Sequence, residues 1–272
     1  ENIILRHQSD WISGWFLKDW SYGEESNNLK LGWNTANKSW PESFDSFSLK
    51  KSLPLIIKSG SIFGKINQSI ANLLGTNEHL LLISGTTDSN AAFIAAQVKE
   101  NEGLTILGTT IVLKKIIKKT FNHPGITMHK VNGDLICGGS SNAGCGVLSN
   151  FFSDLEIEEL SQQINPRKKT ALNYLPLNSQ GERFPTNDPF LKPIIKPRPV
   201  SDALFLQGLL EGLARIELKG WLKLKSFTGY LPKKIITIGG GSKNPQWKSI
   251  REKTLKIPIK NSNKSTSFGS AL

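Results

Sequence analysis

The residues with the clearest chemical potential are Asp88 and two glycine-centred turns, Gly108-Thr109-Thr110 and Gly239-Gly240-Gly241. Asp88 closes the polar run Ser84-Gly85-Thr86-Thr87-Asp88, between the apolar Leu80–Ile83 and the alanine-rich Ala91–Ala96. The first of these reads as a buried strand, too short for a core helix, and the second as a helix. Strand ends in α/β folds face the ligand crevice, so a carboxylate delivered there is placed to accept a proton. Asp, Ser and Asn are also favoured helix caps. Read alone, Asp88 is therefore either a cap or a base.

Gly108-Thr109-Thr110 separates two strands, Leu104–Leu107 and Ile111–Ile117. It offers backbone N–H groups and two hydroxyls, which suit a phosphate cradle, although the same turn also makes a plain hairpin. The triple glycine follows the strand Ile235–Ile238 and precedes a helix that Ser242 or Asn244 caps, with Pro245 in its first turn. Successive glycines admit a nucleotide against bare backbone and aim a helix N-terminus at it. A tight turn with positive φ is the competing reading, but three glycines exceed what such a turn needs. Gly138, Gly139, Gly144 and Gly146 form a further glycine-rich stretch. It permits close approach of either a ligand or another part of the chain.

Elements that would position these residues follow from periodicity. Trp11, Trp15, Phe16 and Trp20 recur at roughly helical intervals and predict a helix with an aromatic core face. Leu53–Lys65 reads as an extended connection, and 67–75 as a short helix closed by Gly75. Asn132-Gly133 marks a hairpin. Asp154–Ile164 is an amphipathic helix with early acidic residues, which favour the dipole. The proline-rich stretch from Asn173 to Val200 reads as an ordered loop, because Tyr174, Leu175 and Phe184 need burial. Ser201–Ser226 is the longest helical pattern, and Gly208, Gly212 and Gly220 within it point to close packing.

A chain of 272 residues is long enough for two domains. Its 38% hydrophobic and 21% charged residues are those of an ordinary globular protein, and no apolar run approaches membrane-spanning length. Cys137 and Cys145 make no disulfide framework and lack a histidine pair for zinc, so a cytoplasmic setting is expected. His7, His79, His123 and His129 have no ligand spacing. The net charge of +12 raises nucleic-acid binding, but lysine scattered along the chain carries it. The one dense run, Lys114-Lys115-Ile116-Ile117-Lys118-Lys119, has no interleaved aromatics and reads as a strand with a solvated end. No nucleic-acid or membrane partner is expected.

In combination these residues resemble a known family. A strand followed by Gly85-x-x-Asp88, the Gly108-Thr109-Thr110 turn, the Gly239–Gly241 loop with SKNPQW, and the closing SxSFGSAL are similar in order and spacing to the FGGY carbohydrate kinases. The nearest branch is the D-ribulose/D-xylulose kinase-like one of photosynthetic organisms, and EESNNLKLGW looks like a segment late in that family's first domain. The resemblance implies an α/β fold of two ribonuclease-H-like domains of the actin–hexokinase superfamily, with sugar and ATP meeting in a cleft. Residues 1–77 would be the end of the sugar-side domain, and 78–272 the nucleotide-side domain with its last helix cut short.

By the same resemblance, Asp88 is the general base that takes the proton of the attacking sugar hydroxyl and also touches the sugar. Gly108 and Thr109 hold the phosphates. Gly240, Gly241, Asn244 and Trp247 line the adenosine site, with Trp247 flanking the base or ribose. Mg²⁺ and backbone N–H groups neutralise charge, as phosphoryl transfer requires. The implied reaction is ATP-dependent phosphorylation of a ketopentose such as D-ribulose or D-xylulose. The family opens with a strand–turn–strand bearing an Asp and a Thr or Ser, and the sequence from Glu1 onward does not include it. The expectation is a fragment that is inactive alone. Other readings are a glycerol or other polyol kinase, or a non-catalytic nucleotide-binding switch of the same superfamily.

Overall fold

The computed structural model describes residues 3–35, 37–47, 49–131 and 133–272. The chain divides into two units, Glu1–Ala91 and Ala92–Leu272.

The first unit carries α1 (Gln8–Leu17), β1 (Tyr22–Glu24), α2 (Glu25–Asn28), β2 (Leu55–Ile57), β3 (Ile62–Lys65), α3 (Gln68–Leu74) and β4 (Leu81–Ile83). β1 pairs in parallel with β2, and β3 pairs antiparallel with β4. The expected extended connection thus contains two strands. α1 does not bury the expected aromatic stripe. Trp11 is 53% exposed, while Trp15 and Phe16 pack against the small cluster Ile66, Ile70 and Ala71. Trp20 lies beyond the helix, and its Nε1 donates to the Trp11 carbonyl at 3.1 Å. The buried residues of α1 are Asp10 and Gly14. Asp10 turns inward because two donors meet it there, Glu24 N at 3.0 Å and Asn28 Nδ2 at 2.6 Å. Burial nevertheless raises the pKa of its carboxyl above the ordinary range.

α3 starts on an Asn67 cap and ends on left-handed Gly75, as its sequence predicts. The strand expected at Leu80–Ile83 is present, but it is not buried. Leu80, Leu81 and Ile83 are each about half exposed, because β4 is one of only two strands in its ribbon. Its pairing with β3 keeps β4 in the first unit. The division therefore falls further along than the boundary drawn after Asn77. It lies within α4 (Asp88–Ala96).

The second unit contains β5 (Glu102–Leu107), β6 (Ile111–Ile116), β7 (Ile126–Val131), β8 (Asp134–Ser140), α5 (Cys145–Ser149), α6 (Asp154–Gln162), α7 (Asp202–Thr228), β9 (Lys234–Ile238), α8 (Pro245–Leu255), β10 (Ile259–Asn261) and α9 (Thr266–Ala271). Its sheet has six strands in the order β10-β9-β5-β6-β8-β7. The pairs β10–β9 and β9–β5 are parallel, and the other three are antiparallel. That arrangement, four antiparallel strands in the order β5-β6-β8-β7 joined through helices to the parallel strands β9 and β10, is ribonuclease-H-like.

Alternation along β5 sends its residues to two cores. Leu104 packs with Ala92, Phe93, Ile236 and Ile238 on one face. Leu107 joins the larger cluster that holds Leu209, Leu213, Trp221, Trp247 and Ile250 of α7 and α8 on the other. Each such leucine contributes about 1.5–3 kcal/mol by burial. The glycines of α7 bring chain segments close, as the pattern suggested. A Cβ at Gly208 would lie 2.7 Å from Leu172, one at Gly212 2.7 Å from Pro176, and one at Gly220 2.6 Å from Leu113. Tyr174 and Phe184 are buried, which orders the proline-rich loop. The β7–β8 hairpin turns at Gly133, with φ +89°, while Asn132 lies outside the described residues.

The lysine run is only partly solvated. Lys118 and Lys119 are exposed, but Lys114 and Lys115 are buried in β6. Lys115 Nζ donates to Thr228 Oγ1 at 3.1 Å and to the Tyr230 carbonyl at 2.9 Å, and lies 3.4 Å from the centre of the Tyr230 ring. Among the described residues, no helix is long and apolar enough to cross a membrane.

Candidate functional site

Parallel pairing brings the two glycine turns side by side. Ile106 of β5 is the register partner of Ile238 of β9, so the chain leaves both strands in the same direction. Gly108-Thr109-Thr110 follows one strand and Gly239-Gly240-Gly241 the other. Leu107 is the wedge between them. Gly239 has φ +94°, and a Cβ on it would lie 2.5 Å from the Leu107 carbonyl oxygen. Gly241 is hemmed by Leu107, Cys145 and the Trp247 ring. Gly240 is different: nothing lies within 4 Å of where its Cβ would be, and it is exposed. Gly108 is similarly open, with only the Thr110 carbonyl at 3.8 Å.

The backs of both turns are held by protein. Cys145 N donates to the Gly108 carbonyl at 2.9 Å, and Gly146 N to the Thr109 carbonyl at 3.2 Å. A Cβ on Gly144 would lie 2.5 Å from that Thr109 oxygen, so Gly144 serves chain packing. Gly108 N is engaged with the Thr110 carbonyl at 3.2 Å. Ser242 Oγ donates to the Gly239 carbonyl at 2.7 Å, and Asn261 Nδ2 to the Ser242 carbonyl at 2.6 Å. Carbonyls are tied back in this way, while Thr109 and the Gly240 backbone remain exposed at the front. Burial pushes the Cys145 thiol above its usual pKa, so it is not a ready nucleophile.

Asn244 caps α8. Its Oδ1 accepts from Trp247 N at 2.9 Å, and its Nδ2 donates to Ser161 Oγ of α6 at 2.7 Å. Pro245 occupies the first helical position, as the sequence predicts. Trp247 is 1% exposed and lies beneath Gly241. From there the indole supports the loop.

Asp88 belongs to the first unit. It is exposed, opens α4, and its Oδ1 accepts from Ser89 N at 2.6 Å. Before it, Gly85 has open space around its Cβ position. Asn90 Nδ2 donates to Thr86 Oγ1 at 3.2 Å and ties the polar turn to the helix. Of the residues singled out in sequence, Gly108, Thr109, Gly240, Gly241, Asn244 and Trp247 gather in the second unit around one pair of strand ends. Sequence reasoning passed over Leu107, Cys145 and Ser161, which fix this geometry. Leu107 reads as ordinary strand, and the other two carry no local signal.

Open glycine backbone at two adjacent turns, beside the capped N-terminus of an eleven-residue helix, suits the phosphates of a nucleotide. Among the described residues, no three His, Cys, Asp or Glu side chains gather to hold a metal ion. Mg²⁺ commonly keeps several waters and is held largely by substrate phosphates.

No protein-family profile matches the chain. Two curated relatives, the xylulose kinases of two Staphylococcus epidermidis strains, are 26% identical over 247 residues and 25% identical over 250. Both alignments cover 85% of this chain and 49% of the relative, so the chain spans about half the length of the curated relatives it matches. Among solved structures, a ligand-bound xylulose kinase from Lactobacillus acidophilus aligns with a TM-score of 0.80 at 16% identity, covering 96% of this chain and 56% of its own. Plasmodium falciparum glycerol kinase with ADP aligns with a TM-score of 0.78 at 19% identity, covering 97% and 56%. The chain is thus related to the carbohydrate kinases and has the fold of the FGGY type, as its motifs anticipate.

Proposed function

We propose that this chain carries the nucleotide-binding side and the general base of an ATP-dependent sugar kinase, acting on a ketopentose such as D-ribulose or D-xylulose. The observation that carries the reading is the pairing of two open glycine turns at the ends of parallel neighbours β5 and β9. Gly108, Thr109 and Gly240 face the phosphates. Gly241, Asn244 and Trp247 shape the adenosine side, Asn244 by capping α8 and Trp247 by supporting the loop from below. Mg²⁺ accompanies ATP and offsets the charge of the transferring phosphoryl group.

Asp88 is the base. It accepts the proton of the sugar hydroxyl as that oxygen bonds to the γ-phosphorus; the bond from that phosphorus to the bridging oxygen breaks, ADP departs, and the protonated carboxyl later returns its proton to solvent. Exposure and a position at the end of a strand–turn unit support the assignment. A correctly placed base contributes typically 10²–10⁴ in rate. The xylulose kinase relatives favour a ketopentose, and the likeness to a glycerol kinase keeps polyols as the second class of acceptor.

The test is ADP release from Mg-ATP by a form of the protein that matches its xylulose kinase relatives in length, with D-ribulose, D-xylulose, L-ribulose and glycerol in turn. Sugar-dependent release above the no-sugar blank supports the reading and names the acceptor class. Binding of ATP with release that no sugar alters would favour a nucleotide-binding switch.

A further inference from the structure

Beneath the two glycine turns lies a buried charged pair for which phosphoryl transfer has no direct use. Arg251 of α8 and Glu217 of α7 are each 1% exposed. Arg251 Nε donates to Glu217 Oε2 at 2.6 Å and Nη2 to Oε1 at 2.8 Å, a bidentate fork. The same Nη2 reaches Thr237 Oγ1 at 3.0 Å, and Thr105 Oγ1 donates to Glu217 Oε1 at 2.6 Å. Thr105 and Thr237 are register partners on β5 and β9, both fully buried. They are the polar members of otherwise apolar strand segments, Leu104–Leu107 and Ile235–Ile238.

We infer that Thr105, Glu217, Thr237 and Arg251 form a positioning network for the nucleotide turns, fixing how β5, β9 and α8 sit relative to one another. The inference rests on the nucleotide reading of those turns. Gly108 lies three residues beyond Thr105 and Gly240 three beyond Thr237, roughly 10 Å along each strand at about 3.3 Å per residue. Arg251 stands one helical turn after Trp247 on the same face of α8, and Trp247 supports Gly241. One guanidinium and one carboxylate thus touch both strands that end in the turns and join the two helices packed against them.

Stability alone is a poor reason for the pair. Apolar replacements of similar volume for a buried ion pair are often neutral or stabilising. Apolar side chains would fill the space, but they would supply no directional bonds to the two strand hydroxyls. What the network adds is fixed geometry, and a displacement of about 1 Å in a reacting site can cost as much as 10²-fold.

Two variants of the full chain test this, each measured by calorimetric titration with Mg-ADP and by thermal unfolding. Glu217→Leu/Arg251→Met removes the pair, and Thr105→Val/Thr237→Val severs both strand contacts while keeping the ion pair. The expected result is a melting midpoint within a few degrees of the parent and a Kd for Mg-ADP raised roughly 10-fold or more for the first variant and roughly 3- to 10-fold for the second. A purely structural role would move the midpoint and leave the Kd of folded protein unchanged. Native affinity in either folded variant overturns the inference. Should the first variant not fold, the near-isosteric threonine variant decides alone. Failure of the parent chain to bind Mg-ADP would instead overturn the nucleotide reading itself.

Discussion

Gly241 lies directly over the Trp247 indole, so closely that a Cβ at this position would overlap the ring. That Cβ would also lie 2.9 Å from Leu107 Cβ and 3.0 Å from Cys145 Sγ. Its neighbour Gly240 meets nothing within 4 Å. The two glycines therefore serve different ends, one for packing beneath the loop and one for access above it. Gly241→Ala is expected to cost about 1–3 kcal/mol, the usual range for overpacking, and to weaken nucleotide binding as the loop shifts. Gly240→Ala should leave the melting temperature unchanged or raise it slightly, because replacing an unstrained glycine stabilises by about 0.4–1 kcal/mol. It should still lower ATP affinity, since a methyl group then stands where the phosphates approach. Denaturant unfolding and ATP titration of both variants separate the two effects.

Asn244 holds the start of α8 through its bond from Trp247 N and reaches α6 through Ser161. Asn244→Ala removes both contacts, and loss of a helix cap costs typically about 1 kcal/mol. Asn244→Asp keeps the acceptor for Trp247 N and should recover most of that stability. Urea unfolding would report it, and equal midpoints for the Ala and parent chains would contradict the capping role.

Asp88→Asn tests the base. The amide keeps the shape and an acceptor for Ser89 N but cannot take the proton. In any form of the protein that turns over sugar, kcat should fall by roughly 10²–10⁴ with ATP affinity little changed. Unchanged kcat would show that Asp88 only shapes the first turn of α4.

Lys115 gives a pH signature unrelated to catalysis. Burial lowers its ammonium pKa from 10.5 to about 8. Between those values the unfolded chain holds the proton and the native chain does not, so stability rises with pH through this window. The penalty of the buried charge is fully present below about 8. Cys137, its register partner, acts oppositely: burial raises its thiol from 9.0 to about 11, which lowers stability as pH rises from 9 towards 11. The Lys115 effect is therefore read between pH 8 and 9. There the parent chain should gain stability relative to Lys115→Met, and a pH-independent difference would contradict the assignment.

Where local rules govern, the sequence was readable. The turn at Gly108, the strand before Gly239 and the Pro245 helix start follow from alternation, glycine and capping, and all lie where the pattern predicts. Burial was less legible, because it depends on partners distant in sequence. Leu80–Ile83 looks like core but forms a half-exposed ribbon, and Trp11 is exposed on a helix whose buried residues are Asp10 and Gly14. Lys115 is charged yet buried, since Thr228 and the Tyr230 carbonyl receive its ammonium from more than a hundred positions away. At the site, the glycines announced themselves and their supports did not. Leu107, Cys145 and the Thr105–Glu217–Arg251–Thr237 network gain meaning only once β5 and β9 are paired.

The central claim is that a nucleotide lies across the paired turns, and amide hydrogen exchange with and without Mg-ATP addresses it most directly. The account predicts new protection over 107–110 and 239–242 together, abolished when ATP is omitted and weakened in Gly241→Ala. Protection confined to other segments, or none at ATP concentrations in the millimolar range, would contradict it.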